Sequence, residues 1–161
     1  MTKDEQLPDT PVLDACCGAK MFHFDKEAEN VTFMDNRILQ DILCDGRALE
    51  VKPDIVGDFR SMPFNDEQFS VIIFDPPHLC NVGESSWMAK KYGSLGKNWR
   101  EDIAGGFSEC FRVLKPDGVL VFKWSEVQIP VSQILTLTPQ RPLVGHKSGK
   151  QQNTHWILFI K

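Results

Sequence analysis

No run of apolar residues in this 161-residue chain approaches the roughly 20 needed to cross a membrane as a helix. Met1 to Asp9 is polar and acidic, without the positive flank and apolar core of a secretory signal. It is expected to be a flexible N-terminus, and the expected location is the cytoplasm. Zinc-type spacing is also missing. The five cysteines, Cys16, Cys17, Cys44, Cys80 and Cys110, are odd in number and contain no pair of Cys-x-x-Cys elements. They read as free thiols of a reducing compartment, with no metal. Positive charge is not in excess either: 18 Lys and Arg face 22 Asp and Glu, for a net charge of -4. That argues against binding nucleic acid through overall charge, and leaves room for a local basic surface. There is no internal repeat, linker or low-complexity tract.

What is present is an ordinary globular composition, 42% hydrophobic and 25% charged. Residues 1–161 are enough for one domain with a core of its own. Short apolar runs punctuated by turns predict strands at Pro11–Ala15, Val31–Met34, Asp54–Gly57, Ser70–Phe74 and Val119–Phe122. Late strands are predicted at Leu143–Val144 and Trp156–Ile160, separated by a polar loop, Gly145 to Asn153. Helical spacing of Ile103, Phe107, Cys110, Phe111 and Leu114 predicts a helix over Asn98–Leu114. Shorter helices are expected at Lys20–Ala28 and Val131–Leu137, an irregular helix over Asn36–Pro53, and a mobile loop over His78–Lys97. Strands alternating with helices imply an α/β fold, Rossmann-like and doubly wound. The sheet is mostly parallel, of seven-stranded type, with helices on both faces and an antiparallel last strand.

Ligands of such sheets bind beyond the carboxyl ends of the strands. Three ends carry an acidic residue beside a turn: Asp14-Ala15-Cys16-Cys17-Gly18-Ala19-Lys20, then Asp35, then Gly57-Asp58-Phe59. A carboxylate about 20 residues past a glycine turn commonly accepts from ribose hydroxyls, which suits Asp35. Asp58 suits an adenine amino group and Phe59 its ring.

The order of these elements resembles the class I S-adenosylmethionine-dependent methyltransferases. The resemblance covers nearly the whole chain, including Gly57 to Phe74 and the stretch Arg112-Val113-Leu114-Lys115-Pro116-Asp117-Gly118. It implies S-adenosylmethionine as cofactor, with Asp14 and Gly18 at its methionine end, Asp35 at the ribose, and Asp58 with Phe59 at the adenine; Ala15 and Cys16 are further cofactor-binding candidates. Cys16 and Lys20 stand where the family has glycines, and Lys20 becomes a candidate for the cofactor carboxylate.

The most specific segment is Asp75-Pro76-Pro77-His78, after four apolar residues. Two prolines make a rigid exit and leave no amide donor at 77 to compete for acceptors. The Asp75 carboxylate and Pro76 carbonyl are then two acceptors, matching the two N–H donors of an exocyclic amino group. Catalysis by such a clamp is proximity and in-line orientation. The segment is similar to the Asp-Pro-Pro-aromatic amino-methyltransferases, in particular small phage and prophage DNA methylase-like proteins. It implies adenine-N6 as the target, cytosine-N4 next, with His78 stacking on a swung-out base. Asp75, Pro76, Pro77 and His78 are the catalytic candidates, Asp75 also touching the cofactor. The alternatives are a protein-glutamine or small-molecule acceptor, or a catalytically silent cofactor-binding subunit.

Basic residues interleaved with aromatics suit a nucleic-acid strand. His78, Trp87, Lys90, Lys91 and Tyr92 are substrate-binding candidates, with Lys97, Trp99 and Arg100 further along. Lys147, in Gly145-His146-Lys147-Ser148-Gly149-Lys150, is a candidate on a second loop flanking the same cleft. Little chain remains for a target-recognition domain, so the expected partners are DNA or RNA together with a homodimer mate or a specificity partner.

Overall fold

The computed structural model describes residues 7–83 and 86–161. Residues 1–6 of the expected flexible N-terminus and residues 84–85 of the expected loop, Ser85 among them, lie outside the described residues. Strand β1, Val12–Asp14, runs up the middle of a seven-stranded sheet. Parallel to it on one side is β2, Val31–Asp35, followed outward by β5, Ile55–Val56. On the other side lie β6, Phe69–Phe74, and then β7, Leu114–Ser125. Two antiparallel strands finish that edge: β9, Thr154–Ile160, pairs with β7, and β8, Val144–Ser148, pairs with β9. The order is therefore β5-β2-β1-β6-β7-β9-β8. The chain works outward from β1 to β5, then crosses back to β6, so the strand order reverses between β1 and β6.

Period-two alternation decides which side chains form the core. Leu13, Ile72, Leu120 and Phe159 form one row across the sheet, and Phe74, Phe122 and Ile157 the next, all buried. They face α2, Trp99–Val113, whose Phe107 ring lies 5.7 Å from Phe74 and 4.8 Å from Phe122. Helix and sheet approach closely because position 106 is glycine. A Cβ there would stand 2.8 Å from the Phe59 ring.

Four local expectations differ from the fold. Lys20–Ala28 is a chain of turns and not a helix. Lys20 takes a left-handed φ of 52°, and the Asp25 side chain accepts from the Glu27 amide, a local bond that competes with helix. Asn36–Pro53 is a hairpin, β3 Leu39–Ile42 against β4 Ala48–Val51. Its turn contains Asp45-Gly46, with Gly46 at φ 82°, the conformation a tight hairpin asks of glycine. The expected loop after His78 contains a short helix, α1, Trp87–Tyr92, capped by the Ser86 hydroxyl at one end and by Gly93 at φ 75° at the other. The expected polar loop from Gly145 is, through Ser148, the edge strand β8. A second short helix, α3, spans Val131–Leu135. Among the described residues no helix is long and apolar enough to cross a membrane.

Candidate active site

The reversal of strand order opens a crevice above β1 and β6, where open α/β sheets bind ligands. A cleft of about 200 Å³ lies there. Ala15, Cys16, Cys17, Gly18 and Ala19 line it from the end of β1, Asp35 and Arg37 from β2, Gly57 and Phe59 from β5. Asp75, Pro76, Pro77 and His78 line it from β6, and Lys91 and Tyr92 from α1. Three separate strand ends thus meet the Asp75 segment in one cavity.

The first turn is held to both neighbouring strands. The Ala15 amide donates to the Ile73 carbonyl and the Cys17 amide to the Met34 carbonyl. Gly18, at φ 50°, donates its amide to Asp35 Oδ2 at 2.9 Å. A Cβ at Gly18 would meet nothing within 4 Å, so the space above this turn is open to a ligand. Asp35 also accepts from the Arg37 amide at 3.0 Å and from Arg37 Nε at 3.1 Å, both on Oδ1. The Arg37 guanidinium continues to the Lys90 carbonyl at 3.0 Å. Arg37 therefore ties the Asp35 carboxylate to α1, which borders the cleft.

Asp14 and Lys20 are placed away from this cavity. The Asp14 carboxylate is fully buried, 2.7 Å from His23 Nε2, and it accepts from the Cys16 amide. Burial pushes its pKa up, with His23 opposing. Its contact with the Cys16 amide braces the turn. The Lys20 ammonium donates to the Lys26 carbonyl at 2.8 Å and lies 3.9 Å over the Phe33 ring, on the far side of the sheet from α2. Asp58 stands outside the lining as well, gripped by Arg60. Phe59, its neighbour, does form part of the wall and packs edge-on against Phe74 at 5.4 Å.

At the other end, His78 and Tyr92 place their rings 5.7 Å apart. Lys91 sits 4.9 Å over the Tyr92 ring and 6.0 Å from Trp87, which is exposed. Lys90 turns outward to Asp41 on the hairpin at 2.7 Å. Lys147 does not share this cleft. With His146 it lines a separate groove of about 420 Å³ between α3 and β8, 3.6 Å from Glu126. Pairing with β9 carries the second basic segment there.

Lys123 is, with Arg37, among the cleft residues that sequence reasoning missed. Its ammonium donates to Asp75 Oδ2 at 2.7 Å. Phe74 pairs in register with Phe122, so the next residues, Asp75 and Lys123, stand side by side. Burial raises the Asp75 pKa, and Lys123 works against that. Burial, with Lys123 nearby, pushes the His78 pKa from 6.5 down to about 4. His78 is therefore uncharged at neutral pH.

A prediction follows from that last shift. Between pH 6.5 and 4 the unfolded chain binds a proton at His78 that the native chain refuses, so this group's share of stability falls as the pH drops. The full effect is at most roughly 3 kcal/mol, less where solvent screens the half-buried ring. Thermal melts at pH 7 and 4.5 should show His78→Phe losing less stability on acidification than the native chain. Equal losses would mean that His78 titrates normally.

No protein-family model and no curated protein sequence matches this chain. Solved structures do. A Pyrococcus horikoshii OT3 protein is 17% identical with a TM-score of 0.59, the match covering 92% of this chain and 80% of that one. A Methanosarcina mazei S-adenosylmethionine-dependent methyltransferase is 12% identical with a TM-score of 0.54, covering 97% and 94%. A TehB-like S-adenosylmethionine-dependent methyltransferase from Corynebacterium glutamicum is 12% identical with a TM-score of 0.56, covering 95% and 80%. The fold is that of these methyltransferases. At such identities the likeness is one of fold, and function has to be argued from the cleft.

Proposed function

We propose that this chain is an S-adenosylmethionine-dependent methyltransferase acting on an exocyclic amino nitrogen of a nucleic-acid base, adenine-N6 first and cytosine-N4 next. The observation that carries the reading is the shared cavity. The Asp75-Pro76-Pro77-His78 exit of β6 opens into the same cleft as Gly18, Asp35 and Phe59. That donor and acceptor set fits the cofactor: an open glycine turn for its amino-acid end, a carboxylate for its ribose and a phenyl wall for its adenine. When bound, it supplies an electrophilic methyl carbon.

The chain's own residues have modest tasks. Asp75 accepts one N–H of the acceptor, and the Pro76 carbonyl is the second acceptor offered by the segment. Together they fix the nitrogen so that its lone pair points along the transfer axis. Asp75 need not be a strong base, because the proton becomes acidic once the nitrogen is cationic. His78, uncharged and flanked by Tyr92, offers a π-face to a base turned out of its stack. Lys91 lies at the same end and suits a backbone phosphate.

The decisive experiment is mass spectrometry of nucleosides after incubating the protein with labelled S-adenosylmethionine and mixed DNA and RNA. Label on N6-methyladenine is expected. Label on a free small molecule or a protein glutamine would replace the substrate half of the reading. Absence of cofactor binding by calorimetry would remove all of it. Lys91→Glu should weaken binding of a single-stranded oligonucleotide several-fold and lower its salt slope by about one. An unchanged slope would take α1 out of the substrate site.

A further inference from the structure

The Asp75 carboxylate is half engaged before any acceptor arrives. Lys123 holds Oδ2 at 2.7 Å, and Lys123 is itself confined. Its ammonium lies 5.5 Å from the Phe22 ring and 5.6 Å from the Trp156 ring, two rings that meet edge to face. Trp156 is its register partner on β9, and Phe22 comes from the turns after β1. A lysine at a strand end is ordinarily free to swing into water. This one is fixed by backbone pairing below and by two aromatic faces beside it.

We propose that Lys123 is a positioning residue for methyl transfer, which holds one oxygen of the Asp75 carboxylate and leaves the other, Oδ1, for the acceptor. One free oxygen suits an amino N–H. It does not suit the two-pronged fork of a guanidinium, which takes both oxygens of a carboxylate. The other groups around Asp75 do not do this work. Asp14, from β1, disfavours the ionised form. Cys16, on the turn after β1, has its thiol pushed up by burial and stays neutral. His78, beyond Pro77, is uncharged at neutral pH. Lys123 does not touch the acceptor. Its role in turnover rests on the methyl-transfer reading, whereas its hold on Asp75 stands independently of it.

The test separates the two. Carbon-detected NMR follows the Asp75 carboxylate through a pH titration, the signal being assigned by its disappearance in Asp75→Asn. Lys123→Met should move the midpoint up by about one pH unit or more, and Lys123→Arg, which keeps the cation, should largely restore it. A midpoint unmoved in Lys123→Met overturns the proposal. Should that variant fail to fold, Lys123→Gln gives the same reading. On an adenine-containing oligonucleotide, Lys123→Met should lower kcat about 10- to 100-fold. The KM for S-adenosylmethionine should hold, and the acid limb of kcat should move with the midpoint. A change in KM alone would overturn the positioning role, and methylation of an arginine-rich peptide would overturn the single-oxygen presentation. If the native protein leaves the oligonucleotide unmethylated, the acceptor reading fails while the titration still decides the hold on Asp75.

Discussion

Asp75→Ala should lower methyl transfer about 1,000-fold and leave cofactor affinity within a few-fold of native. The size follows from the geometry. Loss of one oriented acceptor at a reacting centre costs roughly 3–4 kcal/mol, or 10² to 10³ in rate. A further penalty arises because the Lys123 ammonium, 2.7 Å from the missing oxygen, would be left facing a nitrogen that becomes cationic. Cofactor binding should survive, since Gly18, Asp35 and Phe59 come from other strand ends and keep their own hydrogen bonds and packing. Asp75→Asn sharpens the experiment. It retains an acceptor oxygen and nearly the same volume, so substantial activity there would mean that accepting an N–H is enough. Collapse of Asn to the Ala level would mean that the charge is needed. Calorimetry with S-adenosylmethionine and single-turnover label transfer measure the two quantities. Retention of activity in Asp75→Ala within tenfold, or loss of binding together with activity, would each show that Asp75 has been given the wrong task.

Much of this arrangement is legible in the sequence, for an identifiable reason. The strands that build the cleft are short apolar runs ended by acidic or proline residues, and both signals are local. Ser70–Phe74 followed by Asp75-Pro76-Pro77 predicts a strand and its exit, and β6 ends at Phe74. The spacing of Ile103, Phe107, Cys110 and Phe111 predicts α2, and those residues are its buried face. What local reading misses depends on pairing between distant segments. Lys123 looks like a strand-end lysine until the register of β6 with β7 places it beside Asp75. Lys147 looks like a free basic loop until its pairing with His155 on β9 carries it to another groove. Asp14 shows only its strand end to local reading, and His23, nine residues on, folds back onto it. The β3–β4 hairpin, by contrast, carries a local signal, Asp45-Gly46 between alternating residues.

The cleft also depends on a residue that does not line it. Trp124 is fully buried one position past Lys123, on the opposite face of β7. Its ring stacks on Phe122 at 6.3 Å and 17°, and its indole N–H donates to the Ile129 carbonyl at 2.9 Å. The His78 ring meets it nearly perpendicular, with the ring centres 6.4 Å apart. Trp124→Ala removes the largest fully buried side chain and should cost about 3–5 kcal/mol, a large part of the 5–15 kcal/mol that holds a domain together. The melting temperature should fall by roughly 6–20 °C for a chain of this length. Trp124→Phe keeps an aromatic ring and loses the hydrogen bond, so it should recover most of this and remain about 1 kcal/mol short. The same substitutions reach the site through His78. Without the indole beside it, the His78 ring gains water, and its pKa should climb from about 4 toward its ordinary 6.5. Histidine NMR titration of Trp124→Ala and Trp124→Phe should show that climb in the first and little of it in the second. A melting point within 2 °C of native in Trp124→Ala, or a His78 titration unmoved in a variant that still folds, would mean that the wall behind the Pro76-Pro77 exit is held by something other than this ring.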